Sequence, residues 1–139
     1  DRCGHGVAAL STGGEGPYCI PLSLVRVGDD LFFHCALEGR KLDLLAGTQG
    51  VLTFVAADQP AYLPESNMYT TFFQSAVVTG TAFEVTDPGQ KTAACGPCVK
   101  DDPRTYGGFE EAVRRSLPST AVWGIHMEEV TGKEKARKR

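Results

Sequence analysis

Short apolar runs divided by glycine-rich turns set the frame for this chain. Val7 to Ser11 is apolar and runs into Thr12-Gly13-Gly14-Glu15-Gly16, a strong turn signal. Tyr18 to Val27 is rich in Ile, Leu, Val and Tyr and closes on Gly28-Asp29-Asp30. Leu31 to Cys35 follows as a third run, and strand, turn and strand at this spacing read as a β-meander. Glu38 to Ala46 breaks the pattern: Leu42, Leu45 and Ala46 fall at helical spacing, with Gly47 as a stop. Val51 to Ala57 returns to strand, and Gln59 to Glu65, with two prolines, reads as a loop. Met68 to Val85 is one long β-favouring stretch, and Gly80 within it marks a bulge or corner. Asp87-Pro88 opens a more helical, irregular region, and Phe109 to Leu117 is a second helix. Ala121 to Val130 reads as a last strand, with Trp123, Ile125 and Met127 on one face and His126 and Glu128 on the other. The helix before Val51 is too small for a doubly wound α/β fold. The expectation is mainly β: a small closed barrel of six or more antiparallel strands with short peripheral helices.

Composition narrows the function classes. A chain of 139 residues with 42% apolar content suits one domain, expected over 1–132, with a basic, frayed tail over 133–139. A net charge of −3 gives no general attraction to nucleic acid or anionic membranes. No apolar run approaches the roughly 20 residues of a membrane span, so a soluble protein is expected. Asp1 is not a start residue, so the N-terminus reads as trimmed. The five cysteines are an odd number, and Cys19 and Cys35 lie within apolar runs where cysteine behaves as a small hydrophobe. That usage points to a reducing compartment, the cytoplasm.

The segment richest in chemistry runs from Leu31 to Leu45. A hydrophobic strand ends in the polar pair His34-Cys35, crosses a short loop, and enters a helix whose first turn carries Gly39, Arg40 and Lys41. Free amides at a helix start favour phosphate, Arg40 adds a planar fork, and Lys41 adds a compact charge. An Arg-Lys pair on an amphipathic helix is by default only solvated. The wider string decides against that default.

Gly16-Pro17-Tyr18-Cys19-Ile20-Pro21 and Phe33-His34-Cys35-Ala36-Leu37-Glu38-Gly39-Arg40-Lys41-Leu42-Asp43-Leu44-Leu45 resemble the FMN-binding split-barrel superfamily of pyridoxamine 5′-phosphate oxidase. They are most similar to its branch of nitroimidazole-resistance (Nim) and related proteins. Tyr69-Thr70-Thr71-Phe72-Phe73-Gln74-Ser75, Gly80-Thr81-Ala82 and Glu129-Val130-Thr131-Gly132-Lys133 extend the resemblance over nearly the full chain. It implies a split β-barrel and a homodimer with FMN at the subunit interface. It implies Arg40 and Lys41 on the phosphate, and His34, Cys35 and Ala36 against the flavin at the strand end. Ile20, Pro21, Leu22 and Ser23 would run along the isoalloxazine edge, and Ser75 would reach the ring. The oxidases usually carry glutamine at the place of Ser75, and their C-terminal substrate-phosphate arginine and histidine pattern is absent here. Pyridoxamine oxidase activity itself is therefore not expected.

The implied activity is an FMN-dependent oxidoreductase of the nitroimidazole-reductase type acting on a small electrophile. A flavin-binding carrier or sensor without turnover is the alternative, and Arg40-Lys41 disfavours a heme-associated relative. His34 is either a hydrogen-bonded structural residue or a proton donor in flavin-mediated reduction. Cys95-Gly96-Pro97-Cys98 has the spacing of a thioredoxin redox centre but lacks the strand that should feed it, so two incidental thiols in a turn are expected. A lone CxxC also lacks a second ligand pair for zinc, so no metal is expected. The basic tail has no interleaved aromatic residues to stack on bases.

Overall fold

The computed structural model describes residues 5–46, 49–96 and 108–137. β1 (Gly6–Leu10) pairs antiparallel with β2 (Tyr18–Leu22), and β3 (Val25–Val27) with β4 (Asp30–Ala36). After α1 (Arg40–Leu45) come β5 (Gln49–Leu63) and β6 (Met68–Val85), a long hairpin. α2 (Pro88–Cys95) and α3 (Phe109–Ser116) precede a 3-10 turn and β7 (Thr120–Lys135). The seven strands form one antiparallel sheet in the order β2-β1-β5-β6-β7-β4-β3. Its two edge strands, β2 and β3, are neighbours in sequence, separated only by Ser23 and Leu24. The three residue steps from Leu22 to Val25 span no more than about 11 Å when extended. The sheet must therefore curl until its edges meet, which makes it a split barrel.

Strand alternation fills the inside. Ala8, Leu10, Leu22, Leu31, Phe33, Leu52, Val78, Ala121, Trp123 and Ile125 form the core, and Leu45 of α1 adds to it from the barrel end. Residues one step out of phase point outward. Phe32, Val85 and Val122 make a second cluster there, roofed by Ala94 and Cys95 of α2. Both faces of β7 are thus covered from Ala121 to Ile125, which explains its unbroken buried run. α2 starts where Asp87 accepts a hydrogen bond from the Gln90 amide at 2.8 Å and Pro88 supplies a preset helical φ.

Gly80 sits at the corner expected of it. The β6–β7 register slips there, with Thr79 opposite Glu129 but Gly80 opposite Met127. A Cβ at Gly80 would lie 2.1 Å from the His126 carbonyl oxygen, so only glycine permits this approach.

Three expectations need correction. Tyr18 to Val27 is two strands, because the barrel seam falls at Ser23-Leu24. Gln59 to Leu63 is strand: β5 bulges between Ala56 and Gln59 and then continues, with Pro60 opposite Thr71. Among the described residues β1 pairs with β5 over Gly50 to Thr53 and no strand pairs with Pro60 on that side, so its missing N–H breaks no described ladder. Finally, Lys133 to Lys135 pair with Phe73 to Ser75 and belong to the sheet instead of a frayed tail. No helix among the described residues is long and apolar enough to cross a membrane.

Candidate functional site

The end of β4, the start of α1 and the loop between β1 and β2 converge at one end of the barrel. Gly39 caps α1 with φ 136°, a backbone region that side chains rarely adopt, and turns the chain from β4 into the helix. α1 is held by Leu45, which is buried in the core, and by Leu42 and Leu44 packed against it. The helix is six residues long, shorter than expected. Any anion here is therefore held by side chains more than by a helix dipole, which needs aligned turns to build up.

Arg40 Nη2 lies 2.9 Å from Glu15 Oε2 in the β1–β2 loop, and its guanidinium carbon stands 5.3 Å from the Tyr18 ring centre. Lys41 Nζ stands 5.4 Å from the centre of the Phe33 ring. Both cations thus stand over aromatic rings that belong to the barrel core or pack against it. Cys35 is half-buried against the core, and burial raises its thiol above the usual cysteine value, with the Lys41 charge opposing. The thiol stays protonated near neutrality and offers an apolar contact, not a nucleophile.

The candidate residues divide between two faces. Tyr18, Ile20, Leu22 and Cys35 point to the barrel interior, where the core packs. Pro21 and Ser23 are exposed, and Ala36 ends β4 opposite Thr120. His34 is exposed on the outer face, opposite Val122, so it does not share a side with Cys35. Period-two alternation forbids both from lying against one surface of the same sheet. Ser75 also faces outward, between Val55 of β5 and Lys133 of β7. Arg40 and Lys41 are brought beside Tyr18, Phe33 and Cys35, Ile20 packs against the same core, and His34 and Ser75 face the other way.

Two side-chain pairs escaped sequence reasoning, the second of them at the opposite end of β4 from Arg40 and Lys41. Glu15 meets Arg40 from 25 residues away, and nothing local marks the pair except opposite charge. His126 Nδ1 lies 2.8 Å from Asp30 Oδ1, tying β7 to β4. The hydrogen bond to Asp30 raises the His126 pKa above its usual value, and the nearby Asp29 and Glu128 charges add to this.

Of the Cys95-Gly96-Pro97-Cys98 motif the described residues include Cys95, which lies in a helix and not in the turn expected of it. Cys95 is the last residue of α2, and burial raises its thiol despite the Lys91 charge. A redox cysteine needs the opposite: a helix N-terminus and a lowered pKa. Cys98 lies outside the described residues. Among the described residues no group of three or more His, Cys, Asp or Glu side chains could hold a metal ion.

Comparison with known proteins agrees with this architecture. A protein described as one of 5-nitroimidazole antibiotic resistance from Bacteroides thetaiotaomicron superposes with TM-score 0.75 at 21% identity, covering 94% of this chain and 76% of that one. An FAD- and heme-binding protein from Mycobacterium smegmatis gives TM-score 0.79 at 21% identity, covering 96% of this chain and 66% of that one. The flavocytochrome Anf3 from Azotobacter vinelandii gives 0.72 at 19% identity, covering 98% and 64%. This chain thus spans just under two thirds of the last two. No curated protein matches it. The family model described as pyridoxamine 5′-phosphate oxidase matches residues 1–134, and with the split barrel in place the chain belongs to the pyridoxamine 5′-phosphate oxidase family.

Proposed function

We propose that this chain binds FMN and acts as an FMN-dependent oxidoreductase on a small electrophile such as a nitroaromatic. The observation that carries the reading is the pairing of Arg40 and Lys41 at the barrel end, beside Tyr18, Phe33 and Cys35. A guanidinium fork and an ammonium fit a phosphate, and the apolar and aromatic surface next to them fits a flat ring. When bound, FMN supplies the electron or hydride chemistry. The chain supplies phosphate anchoring through Arg40 and Lys41 and apolar contact through Ile20 and Cys35. The family match supports a flavin, and so do the flavin-binding names of two structural neighbours. The resistance protein among those neighbours favours a nitro compound as electron acceptor.

In this reading the protein is a homodimer with FMN at the subunit interface, and His34 and Ser75 enter the site there from the outer faces. The tip of the β5–β6 hairpin supports the dimer, because it exposes Tyr62, Met68 and Tyr69, the last at 86%. A two-stranded arm with this apolar surface is marginal alone in water.

The test is the absorbance of the purified protein. Flavin bands that bleach with NADH or NADPH and recover on adding a nitroaromatic support the enzyme. Flavin that no donor reduces would leave a carrier or sensor in its place. Sedimentation giving only a monomer at micromolar concentration would remove the interface.

A further inference from the structure

The guanidinium assigned to the phosphate already has an anion beside it. Glu15 reaches Arg40 at 2.9 Å although the two side chains are 78% and 56% exposed. Glu15 is presented by a loop with little else to do. The Thr12 hydroxyl donates to the Gly16 carbonyl at 2.6 Å and accepts from the Glu15 amide at 3.1 Å, which fixes the loop into a small ring. Gly13, Gly14 and Gly16 all have positive φ, and a Cβ on any of them would meet nothing within 4 Å. The loop is therefore closed by its own threonine and is not packed against the barrel at these glycines.

A phosphate monoester near neutrality carries up to two negative charges. Seated on Arg40, it would lie within a few ångström of the Glu15 carboxylate, and like charges that close oppose each other. We propose that Glu15 is the resident anion of the phosphate site. It holds Arg40 in the ligand-free chain and must leave when the phosphorylated cofactor binds. The proposal rests on the reading that Arg40 and Lys41 take the FMN phosphate. It makes Glu15 a residue that sets affinity for a phosphorylated ligand without touching the unphosphorylated ring. Weakly charged anions do not displace it, while a dianion also anchored by its ring and by Lys41 does.

The experiment is a fluorescence-quenching titration of FMN and of riboflavin against wild type, Glu15→Gln, Arg40→Ala and the Glu15→Gln/Arg40→Ala pair, with circular dichroism to confirm folding. An exposed ion pair holds its partner only weakly, and neutralising Glu15 also removes the repulsion. Glu15→Gln should therefore bind FMN about three- to tenfold more tightly. Riboflavin affinity should not change, and in the Arg40→Ala background the gain should shrink toward nothing. Equal FMN affinity in wild type and Glu15→Gln overturns the proposal. So does weaker binding, which would make Glu15 a support that orients Arg40. A gain shared by riboflavin, or one that survives Arg40→Ala, overturns it too. Failure of the underlying phosphate reading shows separately, as wild type binding FMN no better than riboflavin.

Discussion

Replacing both Arg40 and Lys41 with alanine should strip the protein of FMN while leaving the barrel intact. Neither side chain is buried: Arg40 is more than half exposed, and Lys41 rests over the edge of the core on Phe33. α1 stays docked through Leu45, which is only 1% exposed, so the substitutions open no cavity. A hydrogen bond to a charged group contributes about 1.5–3 kcal/mol, so losing two costs roughly 3–6 kcal/mol of binding. From this must come the exposed Arg40–Glu15 pair that FMN has to break, worth about 0.2–1 kcal/mol. What remains weakens FMN binding by about two to four orders of magnitude. Riboflavin lacks the phosphate and should bind wild type and double variant almost equally. Fluorescence quenching measures both affinities, and far-ultraviolet circular dichroism reports the fold. A double variant that keeps wild-type FMN affinity would place the phosphate elsewhere and refute the assignment.

Gly80→Ala should destabilise the fold by roughly 2–4 kcal/mol, because its Cβ meets the His126 backbone oxygen and the bulge cannot yield without breaking β6–β7 pairs. Chemical denaturation measures it, and a loss below half a kcal/mol would mean the corner is looser than described. The raised pKa of His126 means its contact with Asp30 stabilises the fold fully below the usual histidine value of 6.5 and fades as pH rises through the folded value. Wild type should therefore lose stability relative to His126→Gln as pH rises above about 6.5, and parallel curves for the two proteins would dismiss the linkage. Cys95→Ser, alone or with Cys98→Ser, should leave flavin content and any reductase turnover nearly unchanged. Loss of turnover in a folded variant would restore the dithiol.

Much of the fold was legible because its signals are local. Met68 to Val85 is dense in β-branched and aromatic residues and forms one strand over that span. What failed depended on distant neighbours. Pro60 reads as a breaker until β1 is seen to end short of it. Lys133 to Lys135 read as a solvated tail until Phe73 to Ser75 pair with them. The break at Ser23-Leu24 comes from barrel closure, and no residue there announces it. In the site, Arg40 and Lys41 stood out through their whole motif. The opposed directions of His34 and Cys35 were already implied by the two-residue period of a strand. Glu15 was not, since its meeting with Arg40 depends on how the β1–β2 loop folds back.

The sheet order also dictates when the barrel can form. β7 lies between β6 and β4, and Asp30 and His126, a pair across that seam, stand 96 positions apart. Contacts of such long range are slow to form, and during synthesis the N-terminal strands emerge well before their partner. An inner strand of the sheet is thus the last of its seven to leave the ribosome. Until it arrives, β4 has only the three-residue β3 paired beside it, over Asp30 to Phe32.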